Sequence, residues 1–152
     1  MAHIRVQINI ADSPDIVWNE LRHIDRHVQW MMDARSISFD TDQRVGVGTS
    51  FVCVTRVGPF VTRDRMTVTA WSDTETMGIE HRGIITGSGT ITLRATPKGT
   101  DVVWEENLHF PWWAFGEVGA RVARPVLRAI WRGNLKRLRA IVRFNLIYAH
   151  AG

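Results

Sequence analysis

The 152-residue chain contains one cysteine, one tyrosine and two lysines, and its apolar runs are only a few residues long. The shortage of cysteine and of long apolar runs each removes a class of protein. Cys53 has no partner for an internal disulfide, a CxxC redox pair or a cysteine-rich zinc site. A membrane-spanning helix needs about 20 consecutive apolar residues, far more than any run here. The opening MAHIRVQINI lacks the basic-then-apolar layout of a signal peptide, so a cytoplasmic location is expected. Apolar residues at 45% and charged residues at 22% are ordinary globular usage, which excludes disordered and fibrous classes. At this length one domain, residues 1–152, is expected. Only Lys98 and Lys136 of the 19 basic residues are lysines, a bias ascribed to a GC-rich genome rather than to binding.

The net charge of +4 is unevenly distributed: residues 1–113 hold eleven basic and fourteen acidic residues, residues 114–152 eight and one. The basic character therefore belongs to the C-terminal segment. At the other end, HIRVQINI alternates strictly, with Ile4, Val6, Ile8 and Ile10 on one face, the mark of a half-buried first strand. Ser13, Pro14 and Asp15 then predict a helix start, the helix running from Pro14 to about Arg22. Its apolar face holds Ile16, Val17 and Leu21, and Glu20 interrupts it, so partial burial is expected. A second short helix is expected over Ile24–Trp30.

From Ser36 to Phe110 turn signals separate strands at about 36–40, 49–57, 60–71, 76–82, 89–95 and 101–110, whose short connections favour an antiparallel meander. Pro111 ends the last strand. Residues 115–146 read as one long helix, with Pro125 a potential kink. Val122, Val126, Leu127, Ile130, Trp131, Leu138, Ile141 and Val142 follow the helical period as its expected buried face, broken by Asn134. Arg121, Arg124, Arg128, Arg132, Lys136, Arg139 and Arg143 form a basic stripe opposite. A helix of this length, about 45 Å, would cross a whole sheet.

The path from Ile8-Asn9-Ile10-Ala11-Asp12-Ser13-Pro14 into Val17-Trp18, Trp30 closing the second helix, the Gly46-Val47-Gly48-Thr49 turn, and Gly99-Thr100-Asp101-Val102-Val103-Trp104 opening the last strand resemble the START-like superfamily. This is the helix-grip group of Bet v 1 and the bacterial polyketide cyclase/dehydrase and lipid-transport proteins. The resemblance covers nearly the whole chain. It implies an α+β fold in which a curved seven-stranded antiparallel sheet grips the long C-terminal helix around an apolar cavity. It further implies a hydrophobic ligand such as a lipid, fatty acid or polyketide. Enzymatic aromatase/cyclase or dehydratase activity is the alternative, for which no residue-level signature is matched.

Strand alternation places Phe60, Thr62, Asp64, Met66, Val68 and Ala70 on one face, Met77, Ile79 and His81 on another, and Val102, Trp104, Glu106, Leu108 and Phe110 on a third. If these faces are concave, Asp64, His81 and Glu106 are polar groups in an apolar pocket, suited to proton transfer or to hydrogen bonding with a ligand. They are the catalytic candidates. The alternative is a bulge that slips the phase, or an ordinary buried hydrogen bond. The expected ligand-contacting set is Trp30, Phe60, Met66, Val68, Met77, Ile79, Trp104, Leu108, Phe110, Trp113, Leu127, Ile130 and Trp131.

No metal or cofactor is expected, because the His23/His27 pair lacks a third ligand at suitable spacing. Cys53 reads as a buried thiol, and Gly87-Ser88-Gly89 as a turn or bulge. Pro111-Trp112-Trp113-Ala114-Phe115, in the loop entering the long helix, either gates a cavity mouth or touches a bilayer, or else packs beneath the loop. For the basic stripe a solvated face, an anionic membrane and a nucleic acid are the open readings. Nucleic acid is the weaker partner, since the stripe lacks interleaved stacking aromatics.

Overall fold

The computed structural model describes residues 1–150. Strands β1 (Ala2–Ile10), β2 (Ala34–Phe39), β3 (Ser50–Val57), β4 (Phe60–Ser72), β5 (Thr76–Arg82), β6 (Thr86–Thr96) and β7 (Gly99–His109) form one seven-stranded sheet in the order β1-β7-β6-β5-β4-β3-β2. Every pairing is antiparallel, and β1 closes the sheet beside β7 with Val6 opposite Trp104. Helix α1 (Pro14–Leu21) and a 3₁₀ segment (Ile24–Gln29) follow β1, and the long helix α2 (Gly116–His150) ends the described chain. The architecture is α+β helix-grip.

Alternation accounts for the strands that bound the core. Ile4, Val6 and Ile10 of β1 are buried while His3, Arg5 and Gln7 are exposed. In β7 Val102, Trp104, Glu106 and Leu108 are buried in the same rhythm. Two strands depart from simple reading. Gly87-Ser88-Gly89 lies within β6 rather than in a turn, because both glycines pair with neighbours on either side, Gly87 with His81 and Leu108, Gly89 with Ile79 and Glu106. In β4 an irregularity between Val68 and Ala70 shifts the phase, so Trp71, opposite Met77, takes the place on the inner face expected for Ala70.

Helix α1 also differs from expectation. Glu20 is only 5% exposed and Ile16 is exposed at 36%. The Glu20 Oε2 accepts a hydrogen bond from Asn145 Nδ2 of α2 at 3.0 Å, with Arg26 nearby at 3.6 Å, while Oε1 is buried without a partner among the described residues.

Helix α2 crosses the concave side of the sheet, and its two halves bury different residues. Beyond Ile130 the buried face is Trp131, Asn134, Leu135, Leu138 and Val142, with Ile141 half-buried. Before it, Val122 and Val126, expected inside, are 69% and 51% exposed. The inward positions there belong to Gly119, Ala123 and Leu127, which face a cavity instead of a filled core. Asn134 does not interrupt the buried face as an idle polar group. It is fully buried, its Oδ1 accepts the Met32 N–H at 3.0 Å, and its Nδ2 donates to Asp33 Oδ1 at 2.7 Å. These bonds pin α2 to the loop that enters β2.

Candidate functional site

Between the concave sheet and α2 lies a cavity of about 620 Å³. Its walls differ. The helix side contributes Gly119, Ala123, Leu127 and Trp131, and the 3₁₀ segment and following loop add Ile24, His27 and Met31. The sheet side mixes Ile37, Phe51, Met77, Ile79 and Ile91 with Thr55, Thr62, Asp64, His81 and Glu106. Strand register makes a polar belt of the last group: Thr55 is opposite Thr62, Cys53 opposite Asp64, and Met66 opposite His81.

At the centre of the belt His81 Nε2 and Glu106 Oε2 are 2.8 Å apart, although β5 and β7 do not pair. The strand between them has no side chain in the way. A Cβ at Gly89 of β6 would overlap the Glu106 carboxylate, so the glycine is what lets that group cross its strand. The second carboxylate oxygen, Oε1, accepts from Trp104 Nε1 at 2.9 Å, and Trp104 stacks on Trp131 of α2 with centroids 4.9 Å apart. Asp64 sits over Gly83 in a similar way and accepts the Ile84 N–H at 2.9 Å.

Burial works to lower the His81 pKa, but the hydrogen bond and charge of Glu106, helped by the charge of Asp64, outweigh it and hold the pKa above the usual value. The imidazole side chain is 12% exposed and the carboxylate 3%. Both groups line the cavity, the imidazole being the more exposed of the two, and the Glu106 hydrogen bond orients it. Elsewhere in the wall, burial lowers the His27 pKa to about 4, so this ring is neutral at neutral pH and its Nε2–H donates to Leu21 O at 2.7 Å. Burial also pushes the Cys53 thiol up, which leaves it protonated and inert.

Of the residues expected to contact a ligand, Phe60, Met66, Met77, Ile79, Trp104, Leu108, Phe110, Trp113, Leu127 and Trp131 line the cavity, as do Asp64, His81 and Glu106. Trp30, Val68 and Ile130 do not. Trp30 is fully buried behind the wall, edge-on to Trp104 at 6.1 Å, Val68 is 1% exposed in the core, and Ile130 is half-buried beside it. Sequence reading missed Ile24, His27 and Met31, whose 3 and 4 spacing is a helical signal, and Phe51, Cys53 and Thr55, whose alternation is a strand signal. It also missed Gly83 and Gly89, whose contribution is the absence of a side chain. The basic stripe Arg121, Arg128, Arg132, Lys136, Arg139 and Arg143 is exposed on α2, and Arg124 is half-buried. His23 is half-buried, and the His27 Nε2 is taken by the Leu21 carbonyl.

Among solved structures, a Thermus thermophilus protein superposes with a TM-score of 0.82 at 16% identity, over 94% of this chain and 98% of its own. The di-domain ARO/CYC protein StfQ of the steffimycin biosynthetic pathway gives 0.77 at 14% identity, over 95% of this chain and 51% of its own. The Zhui aromatase/cyclase of Streptomyces sp. R1128 gives 0.69 at 12% identity, over 95% and 94%. At these identities the likeness is one of fold. No curated protein matches the sequence. Residues 1–143 match the family model described as polyketide cyclase/dehydrase and lipid transport, and with its helix-grip fold and apolar cavity for a hydrophobic ligand this chain belongs to that family.

Proposed function

We propose that residues 1–152 act as one domain that encloses a lipid, fatty acid or polyketide-like molecule, and that His81 exchanges a proton or hydrogen bond with it. The observation that carries this reading is a buried imidazole–carboxylate pair in the wall of a largely apolar cavity. Glu106 accepts from Nε2–H and so leaves Nδ1 as the basic nitrogen of the neutral ring. Once protonated, the imidazolium donates to a ligand carbonyl or hydroxyl, and the anionic carboxylate stabilises its charge. Asp64, with one oxygen held by a backbone N–H, is the second proton acceptor on the belt. This arrangement suits the enolisation and water loss of a cyclase or dehydratase. A buried, protonated Cys53 thiol is compatible with a reducing cytoplasm as the working compartment.

The experiment is a titration of the purified protein with fluorescent fatty acids and aromatic polyketide surrogates, with native mass spectrometry of protein taken from its source. Saturable one-to-one binding is expected, and its absence overturns the ligand reading. For the chemistry, Glu106→Gln is expected to abolish turnover of a cyclisable surrogate while Tm holds, and equal loss of turnover and stability assigns the pair a structural role. Because the His81 pKa is raised, the donor form persists towards neutral pH, and affinity for a carbonyl ligand is expected to fall as pH rises through that pKa.

A further inference from the structure

The β3–β4, β5–β6 and β7–α2 connections lie at the same end of the sheet, because alternate turns of an antiparallel meander do. All three carry apolar residues at the cavity mouth. Phe60, Ile84, Trp113 and Phe115 line the cavity, yet are 75%, 45%, 58% and 79% exposed. Beside them Val61 and Trp112, which do not line it, are 58% and 87% exposed. Single exposed apolar side chains are ordinary, whereas a cluster contributed by three separate loops marks a contact surface.

The unpaired charge around this cluster is basic. Arg56 and Arg63 of the β3–β4 hairpin and Arg121 of α2 have no carboxylate partner within 4.0 Å among the described residues. Glu117, the lone acid of α2, is engaged by the N-terminal amine. The same helix turns outward a stripe of Val118, Val122 and Val126, alongside Arg128 and Arg132. No helix among the described residues is long and apolar enough to cross a bilayer, so contact would be made at a surface. A second copy would bring like arginines together, and aliphatic tips such as Val61 and Ile84 offer a nucleic acid nothing to stack on.

We infer that the cavity mouth docks on an anionic bilayer, with the three loop tips inserted among the acyl chains and the arginines on the headgroups. Docking seals the mouth against water. It gives an apolar ligand a route between bilayer and cavity that never crosses solvent. The surface is distinct from the His81–Glu106 chemistry, and its test needs no cavity ligand, so the two readings fail separately.

The test is flotation of the full chain with vesicles of phosphatidylcholine alone and of equal parts phosphatidylcholine and phosphatidylglycerol, at low and high salt, with brominated acyl chains to quench inserted tryptophan. Salt-sensitive binding to the anionic vesicles with quenching is expected. Val61→Ser with Trp112→Ser, neither residue lining the cavity, should weaken it by about tenfold and reduce quenching. Arg63→Glu with Arg121→Glu should weaken it by at least about tenfold, while circular dichroism remains that of the parent. No binding at low salt overturns the inference, as does binding without quenching that survives Val61→Ser with Trp112→Ser. Retention on duplex or single-stranded nucleic acid in place of vesicles, or a concentration-dependent dimer that shields Trp112, overturns it as well.

Discussion

The two halves of α2 do opposite work. The C-terminal half seats Leu135, Leu138 and Val142 in the core and locks itself through Asn134 to the loop before β2. The N-terminal half keeps its bulky valines in solvent and shows the sheet small residues, Gly119 and Ala123, across open space. Pro125 in that half also removes one backbone donor from the helix. Stability is therefore concentrated at one end of the helix and cavity volume at the other. A long helix can be an anchor and a lid in the same stretch of chain, according to the size of the residues it turns inward.

The contrast can be broken most sharply at Leu135. Leu135→Ala empties a fully buried site and is expected to cost about 2–5 kcal/mol in urea unfolding. Acid is next, acting at the cavity wall. His27 has a folded pKa of about 4, below its unfolded value, so its contribution is complete above about pH 6.5. That contribution is lost as pH falls towards 4, by about 3 kcal/mol in all, and a pH series of unfolding curves for the parent and His27→Gln would show the difference. Asn134→Ala strands the Met32 N–H and Asp33, for an expected loss of about 1–3 kcal/mol in the same assay. Ala123→Leu grows into the cavity, so stability should change by less than about 1 kcal/mol while fluorescent-ligand affinity falls at least about tenfold. At the bottom of the scale, Val122→Ser should shift stability by no more than about 0.5 kcal/mol. A loss at Val122 as large as at Leu135 would refute the division of the helix.

The fold was legible because the elements that build it obey simple periods. The alternation of β1 and β7, the Ser13-Pro14 helix start and the turn residues between strands led to the observed order within a few residues at each boundary. The three polar candidates were legible for the same reason, since Asp64, His81 and Glu106 share the phase of buried apolar neighbours. Periodicity failed where an inward position holds a small residue. In the first turns of α2 the heaviest apolar stripe is Val118, Val122 and Val126, and a rule that weighs hydrophobic mass turns that stripe inward. The cavity reverses this choice, because space for a ligand is made by glycine and alanine. Gly83 and Gly89 escaped notice on the same ground, as their contribution depends on carboxylates that the chain brings from other strands. Trp30 and Val68 follow the apolar pattern without reaching the cavity, since one-dimensional spacing separates inside from outside but not wall from backing.

The glycine gap in β6 has a consequence for how the molecule assembles in time. His81 and Glu106 belong to strands that never touch, so their 2.8 Å contact depends on two registers set in series, β5 on β6 and β6 on β7. A slip of one residue in either ladder displaces a partner by about 3.3 Å and turns it to the opposite face. The pair can close only after both ladders have found their native alignment. A ring-proton resonance of His81 would thus act as a clock for refolding, appearing after the sheet's overall β signal and marking the moment when the site, rather than merely the sheet, exists.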